Sequence, residues 1–389
     1  MSHHRSIAAV FAVHGATAGS LATRVPWLQD HLDLGPGVLG LALLCPSIGA
    51  FVGMPLASRL AYRFGGRAAT RVLLALWCVG LALPVLTPSL LWLFPAFLLY
   101  GAAAGMCDVV MNAHAVVLER HLGRSIMSGL HGMWCVGSLA GGGVGALAAH
   151  GGVDARLHLG AASLVLLVAG VLAGRDLLPD TAPADGPAPR RFALPSRAIL
   201  AIGLVGFCAL FAEGASANWA AVYLTEVTAA GPGTAAAGYT IFMLCMAGAR
   251  LAGDRVVGRI GPVVAVRAGG VVAAAGGVLV VVARTPVLCV IGFAMIGLGV
   301  AVIAPLVFAA AGNAGPTPGE GVAGVATITY LSGLTAPAVT GWVAGGVSYP
   351  AAFAMITGVA VLLTLLAPVL RPAPAVRPPA VPVAGTRHG

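Results

Sequence analysis

The sequence predicts an all-α membrane protein of twelve transmembrane helices, arranged as two pseudo-symmetric bundles of six. Three observations predict it. First, of 389 residues 59% are hydrophobic and 8% charged, against about 25% charged in an ordinary soluble domain, so the chain lacks the polar surface that water requires. Second, apolar runs of about 20 residues, the length that crosses a bilayer core, recur along the chain. Third, the second half repeats landmarks of the first at one fixed offset.

Cutting at charges, Pro-Gly pairs and polar clusters places spans near 7–28, 37–58, 69–87, 90–117, 126–149 and 157–174, then 197–224, 233–254, 264–283, 286–311, 321–345 and 350–370. The opening "MSHHRSIAAVFAVHG" has one Arg before an apolar run, as a cleavable signal would. The run continues into further spans, so it reads as a first retained helix. Between the two sets, "GRDLLPDTAPADGPAPRRFALPSR" (174–197) is rich in Pro and charge and reads as a linker. The Pro-rich tail reads as disordered. The expected organisation is a bundle at 1–174, a cytoplasmic linker at 175–196, a second bundle at 197–370 and a cytoplasmic tail at 371–389.

All 21 basic residues are arginine, and they sit between apolar runs rather than in a stripe along one element. The net charge of +9 therefore reflects membrane topology rather than nucleic-acid binding. With the N-terminus in the cytoplasm, eighteen of the 21 fall on cytoplasmic segments, Arg250 and Arg267 among them, and only Arg24, Arg156 and Arg284 on the other side. Both termini are thus expected in the cytoplasm of a multi-pass inner-membrane protein. The seven cysteines lie in apolar runs without a C-x-x-C pair, so neither a disulfide framework nor a zinc site is indicated.

The repeat has an offset of 196 residues. It lays "LQDHLDLGPG" (28–37) on "LTEVTAAGPG" (224–233), and "SRLAYRFGGRAATR" (58–71) on "DRVVGRIGPVVAVR" (254–267). Gly101 meets Gly297, Gly137 meets Gly333 and Gly145 meets Gly341. Two six-helix repeats related along the membrane normal are an architecture of secondary transporters, whose substrate site lies near the midplane between the repeats.

A charge at a helix centre costs roughly 2.5–3.5 kcal/mol on insertion scales, so it persists where it faces a partner or a wet cavity. Asp108, in "GMCDVVMN" (105–112), has Asn112 one turn away on the same face. The pair reads as a substrate or proton site, or as an interhelical tie. The repeat mate of Asp108 is Ala304, so fold symmetry does not require the acid. Glu213, in "FAEGASANW" (211–219), is expected in the outer half of its span. Asn218 and Trp219 would complete a polar-aromatic patch there for a hydroxylated or amine-bearing ligand. Arg24, in "TRVPW", either snorkels to the outer interface or pairs with Glu213 as an outer gate. His131 and Trp134 lie one turn apart; His131 is titratable in the physiological range, and helix packing is its other reading. His14 reads in the same way. The run "LAGGGVGAL" (139–147) reads as a close-packing surface.

The two loops at 58–71 and 254–267 resemble the major facilitator superfamily signature, roughly G-x-L-a-D-R-x-G-R-R. Arg63, Phe64, Gly65 and Arg67 fit, while Ser58 replaces the first Gly and Tyr62 the Asp. The resemblance implies cytoplasmic gating roles for Arg59, Arg63, Gly65 and Arg67 and, in the second loop, for Asp254, Arg255, Arg259 and Gly261. Asp254 would supply part of the missing charge latch. Three longer stretches, "ATRVPWLQDHLDL" (22–34), "GMCDVVMNAHAVVLERHLGRSIMSGLHGMWCVGSLAGG" (105–142) and "FAEGASANWAAVYL" (211–224), resemble its MosC/YbjJ-like branch. That branch often has Asp where this chain has Asn218. The resemblance implies an inner-membrane transporter of sugar-like or aminocyclitol-like solutes.

With no lysine there is no Walker A motif, and no H-E-x-x-H or Ser/His/Asp spacing stands out, so an enzyme is not expected. No cofactor or metal is expected either. The driver is then an ion gradient, with protons favoured by Asp108, Glu213 and His131 and sodium as the alternative. The reading is a proton-coupled secondary transporter that moves a small polar organic solute by alternating access, as a monomer in the lipid bilayer. One alternative is drug or antibiotic efflux by proton antiport, against which the fifth span lacks the antiporter Gly-Pro pair. The other is a transporter-fold sensor, against which the short tail offers no signalling domain.

Overall fold

The computed structural model describes residues 2–34, 36–180, 196–315 and 317–371. Most of the expected linker (181–195) and all but the first residue of the expected tail lie outside the described residues. Among those described, the chain is helical without strands, with fourteen α-helices.

The first span is α1 (His3–Ala22) followed by α2 (Val25–His31). Pro26 stands in the first turn of α2, where its missing N–H costs nothing but prevents a continuous helix. Then come α3 (Pro36–Phe64), α4 (Gly66–Gly80), α5 (Leu90–Leu122), α6 (Met127–His150) and α7 (Ala155–Ala173). The second half holds α8 (Arg197–Thr228), α9 (Pro232–Ile260), α10 (Pro262–Val282), the broken span α11 (Pro286–Val300) and α12 (Ile303–Ala314), α13 (Pro318–Gly346) and α14 (Tyr349–Leu366).

Eleven spans are long and apolar enough to cross a membrane among the described residues. The expected twelfth, α9, is not among them. Arg250, Asp254, Arg255 and Arg259 crowd its last three turns. Several helices overrun the expected spans: α3 continues to Phe64 and α5 to Leu122, because charged residues tolerate a helix that protrudes from the bilayer.

The repeat is visible in the backbone. A single residue, Gly65 with φ 84°, separates α3 from α4, and its repeat mate Gly261, with φ 78°, separates α9 from α10. Glycine is the residue that takes this positive φ without a Cβ clash.

Close helix packing rests on small residues. A Cβ on Gly15 would lie 2.0 Å from the Trp134 carbonyl, and one on Gly137 1.9 Å from that of Ala12, so α1 and α6 meet backbone to backbone. In the second half, Tyr223, Phe293 and Phe353 form an edge-to-face cluster with centroids 4.8–6.1 Å apart. The outer surface is apolar, with Leu91 77% and Trp342 80% exposed, as a lipid-facing surface requires.

Helix alternation places the α3–α4, α5–α6, α9–α10 and α12–α13 connections on one face, called here the arginine-rich face. The two halves join there. Arg120 of α5 donates to Asn313 Oδ1 and to the Gly312 carbonyl at the end of α12, both at 2.6 Å. Phe308, Ala309, Val322, Ala323 and Ala326 of the second half complete the apolar core of the first.

Candidate functional site

Asp108 lies near the middle of α5, 8% exposed, and Asn112 is fully buried one turn on. Asn112 Nδ2 donates to Asp108 Oδ1 at 3.1 Å and to the Asp108 carbonyl at 2.9 Å. Asp108 Oδ2 and Asn112 Oδ1 are buried with no hydrogen-bond partner among the described residues. Tyr330 of α13, packed on the core of the first half, lies close to the Asp108 carboxyl without a hydrogen bond to it. The acid is therefore a contact between the two halves and not only an internal tie of one bundle. A polar run around Tyr330 (Thr327, Thr329, Ser332) in an otherwise apolar span was a sequence signal for this face.

His131 of α6 packs between Phe11 and Phe308, with ring centroids at 5.4 and 5.6 Å. Its Nδ1 donates to the Met127 carbonyl at 3.0 Å, which leaves Nε2 as the acceptor of the neutral ring. Trp134 does not join it. Its indole donates to His14 Nδ1 at 3.0 Å, while His14 Nε2 donates to the Ala104 carbonyl at 3.3 Å and the ring stacks on Trp77. Both nitrogens of His14 are thus engaged in one neutral tautomer, which ties α1 to α5 and α6.

The second polar centre was not expected. Arg250 of α9 is 4% exposed and donates to Glu213 at 2.7 Å. The sequence reading counts Arg250 with the cytoplasmic arginines, beside Arg255, Arg259 and Arg267. In the structure it lies ten residues, about 15 Å, inside the end of α9. Glu213 stands halfway along α8 and not in its outer half, because the helix extends to Thr228. The expected Glu213–Arg24 gate pair is replaced by Glu213–Arg250.

Arg24 is not a snorkelling residue either. It is 3% exposed, and its Nε donates to His158 Nδ1 of α7 at 3.0 Å. The expected patch of Glu213, Asn218 and Trp219 does not form. Five and six residues along a helix point to different faces. Asn218 is exposed and donates to the Gly214 carbonyl, whereas Trp219 packs on Gly341 and Tyr349.

At the arginine-rich face, Asp254 of α9 accepts from Ser125 Oγ and the amides of Ser128 and Gly129, at 3.0, 3.0 and 2.7 Å. Glu119 accepts from the amides of Ile126 and Met127 at 2.8 and 3.2 Å. Two carboxylates, one from each half, thus satisfy the amides that open α6. In the first-half loop, Asp180 takes the amide of Arg67 at 3.1 Å, and Arg67 Nη2 bonds the Arg175 carbonyl. Arg63 stacks over Phe64 at 5.4 Å, Arg59 is half-buried, and Arg255 and Arg259 are exposed. Ser58, the repeat mate of Asp254, lies beside Gly319 at the start of α13, where Thr317 caps the helix instead.

Comparison with known proteins gives this arrangement its family. The sequence pattern described as Major Facilitator Superfamily matches residues 7–318. An uncharacterized MFS-type transporter of Yersinia pestis is 34% identical over 377 residues, covering 94% of this chain and 95% of that one. Membrane protein MosC of Rhizobium meliloti is 29% identical over 362 residues, covering 92% and 88%. The E. coli fucose:proton symporter FucP shares the fold at 14% identity, with a TM-score of 0.76 over 95% of this chain and 98% of that one. A FucP structure in the outward conformation superposes at 0.79, with 15% identity over 95% and 99%. The chain belongs to the major facilitator superfamily, as a multi-pass membrane transporter and not an enzyme.

Proposed function

We propose that the protein is a proton-coupled secondary transporter of a small polar organic solute, sugar-like or aminocyclitol-like, working as a monomer by alternating access. The observation that carries this reading is Asp108, a buried acid at mid-depth on one half, met by Tyr330 from the other. Binding a proton there removes a charge whose burial is costly, which lowers the cost of closing the halves around a solute. Glu213, held by Arg250, is the second candidate acid. The acceptors Asp108 Oδ2 and Asn112 Oδ1 suit a ligand rich in hydroxyl or ammonium donors. The likeness to a fucose:proton symporter supports the same class. On this reading the arginine-rich face is cytoplasmic, in keeping with the positive-inside rule, and the structure is closed towards the cytoplasm.

The test is solute flux in proteoliposomes under an imposed pH gradient, with a sodium gradient as the parallel arm and solutes chosen by thermal shift. Gradient-driven flux should vanish in Asp108→Asn while exchange of solute persists. Full proton-driven flux in that variant would remove Asp108 as the coupling acid. Flux that follows only the sodium gradient would overturn proton coupling.

A further inference from the structure

The tenth span is interrupted: α11 ends at Val300 and α12 begins at Ile303. A break inside a membrane frees backbone groups that lipid cannot satisfy, so neighbouring helices must supply partners. The Ala301 carbonyl at this break accepts Arg250 Nε at 3.1 Å. The same guanidinium donates from Nη2 to Glu213 of α8 at 2.7 Å and from Nη1 to Cys135 Sγ of α6 at 3.2 Å. The Arg250 carbonyl in turn accepts from Ser128 Oγ at 2.8 Å. One side chain thus joins α8, the break and the facing half.

The internal repeat supplies a natural control. At the same offset, Met54 stands for Arg250, Thr17 for Glu213 and Gly105 for Ala301. Gly105 lies within α5, which runs unbroken from Leu90 to Leu122. The break, the arginine and the glutamate occur together in one half and are absent together from the other. A planar guanidinium can serve three fixed directions at once, which a lysine ammonium on a flexible stem cannot.

We propose that Arg250 is a positioning residue. It sets the α11–α12 break against the Cys135 face of the first half, and the charge of Glu213 is what holds it there. Neutralising Glu213 frees the guanidinium, loosens the Ala301 carbonyl and lets the second half part from α6. This rests on the alternating-access reading above, but on neither the identity of the solute nor that of the coupling ion.

Cys135 is 2% exposed and therefore reports the parting of this interface. With the other six cysteines replaced, its labelling by a membrane-impermeant maleimide is measured from each side of oriented membranes. Glu213→Gln and Arg250→Lys should each change the ratio of the two labelling rates by about tenfold, the signature of a shifted equilibrium between two states. The neutral pair Arg250→Gln/Glu213→Gln strands no charge and should show the same change. A wild-type ratio in the neutral pair would overturn the proposal. So would equal acceleration from both sides, which marks a helix plug without a positioning role. The readout needs neither solute nor gradient, so failed proton coupling and a failed positioning role give different results.

Discussion

The Asp254 carboxylate of α9 lies 2.7 Å from the Gly129 amide, so an acid of the second half closes the first turn of a helix in the other. Asp254→Ala removes a charged acceptor from two amides. Bonds of that kind contribute roughly 1.5–3 kcal/mol each. Amide hydrogen exchange at Ser128 and Gly129 should accelerate at least about tenfold, 1.4 kcal/mol being one decade. Ile126 and Met127, held by Glu119, should respond less. Unchanged exchange at Ser128 and Gly129 would show that Asp254 holds nothing closed.

Tyr330→Phe keeps the ring and removes the hydroxyl close to Asp108. A hydrogen bond gained by that hydroxyl as the halves close on the carboxyl would contribute about 0.5–1.5 kcal/mol. Solute affinity or proton-driven flux should fall by a few-fold to about tenfold, well short of the loss expected for Asp108→Asn. Wild-type transport in Tyr330→Phe would mean that the contact between the halves at Asp108 is incidental.

Arg250→Gln alone should be the most damaging single change near the site. It leaves Glu213 charged and unpaired, at a cost below the roughly 3–5 kcal/mol of a fully buried pair because Glu213 is 22% exposed. Adding Glu213→Gln should restore most of the melting temperature in detergent. If the double variant melts no higher than the single one, the two side chains are not coupled.

Two glycines of α6 separate packing from mere composition. A Cβ on Gly137 would fall 1.9 Å from the Ala12 carbonyl, whereas one on Gly143 meets nothing within 4 Å. Gly137→Ala should force α1 and α6 apart and cost about 1–3 kcal/mol. Gly143→Ala should leave the melting temperature unchanged. Equal behaviour of the two variants would contradict the close approach.

The all-helical membrane fold, the repeat and the Asp108–Asn112 face were legible in the sequence, because they depend on apolar runs, on one fixed offset and on residues one helical turn apart. The same offset that aligned Gly65 with Gly261 locates two backbone reversals of nearly equal φ. The partner of Glu213 was not legible. It depends on how far α8 and α9 continue and how α9 is rotated against its neighbours, and neither is encoded in spacing. Arg250 was misplaced for a related reason: nearness in sequence to other arginines says nothing of depth once the helix continues ten residues further, to Ile260. Asp180 escaped notice because it reaches Arg67 across more than a hundred residues.

The single-residue joints at Gly65 and Gly261 also limit what the molecule can do mechanically. With no slack between α3 and α4, or between α9 and α10, neither helix of a pair can slide along its partner at the arginine-rich face. Separation there must carry each pair as one lever about its glycine, so relative displacement within a pair grows with distance from that joint and is largest at the opposite face.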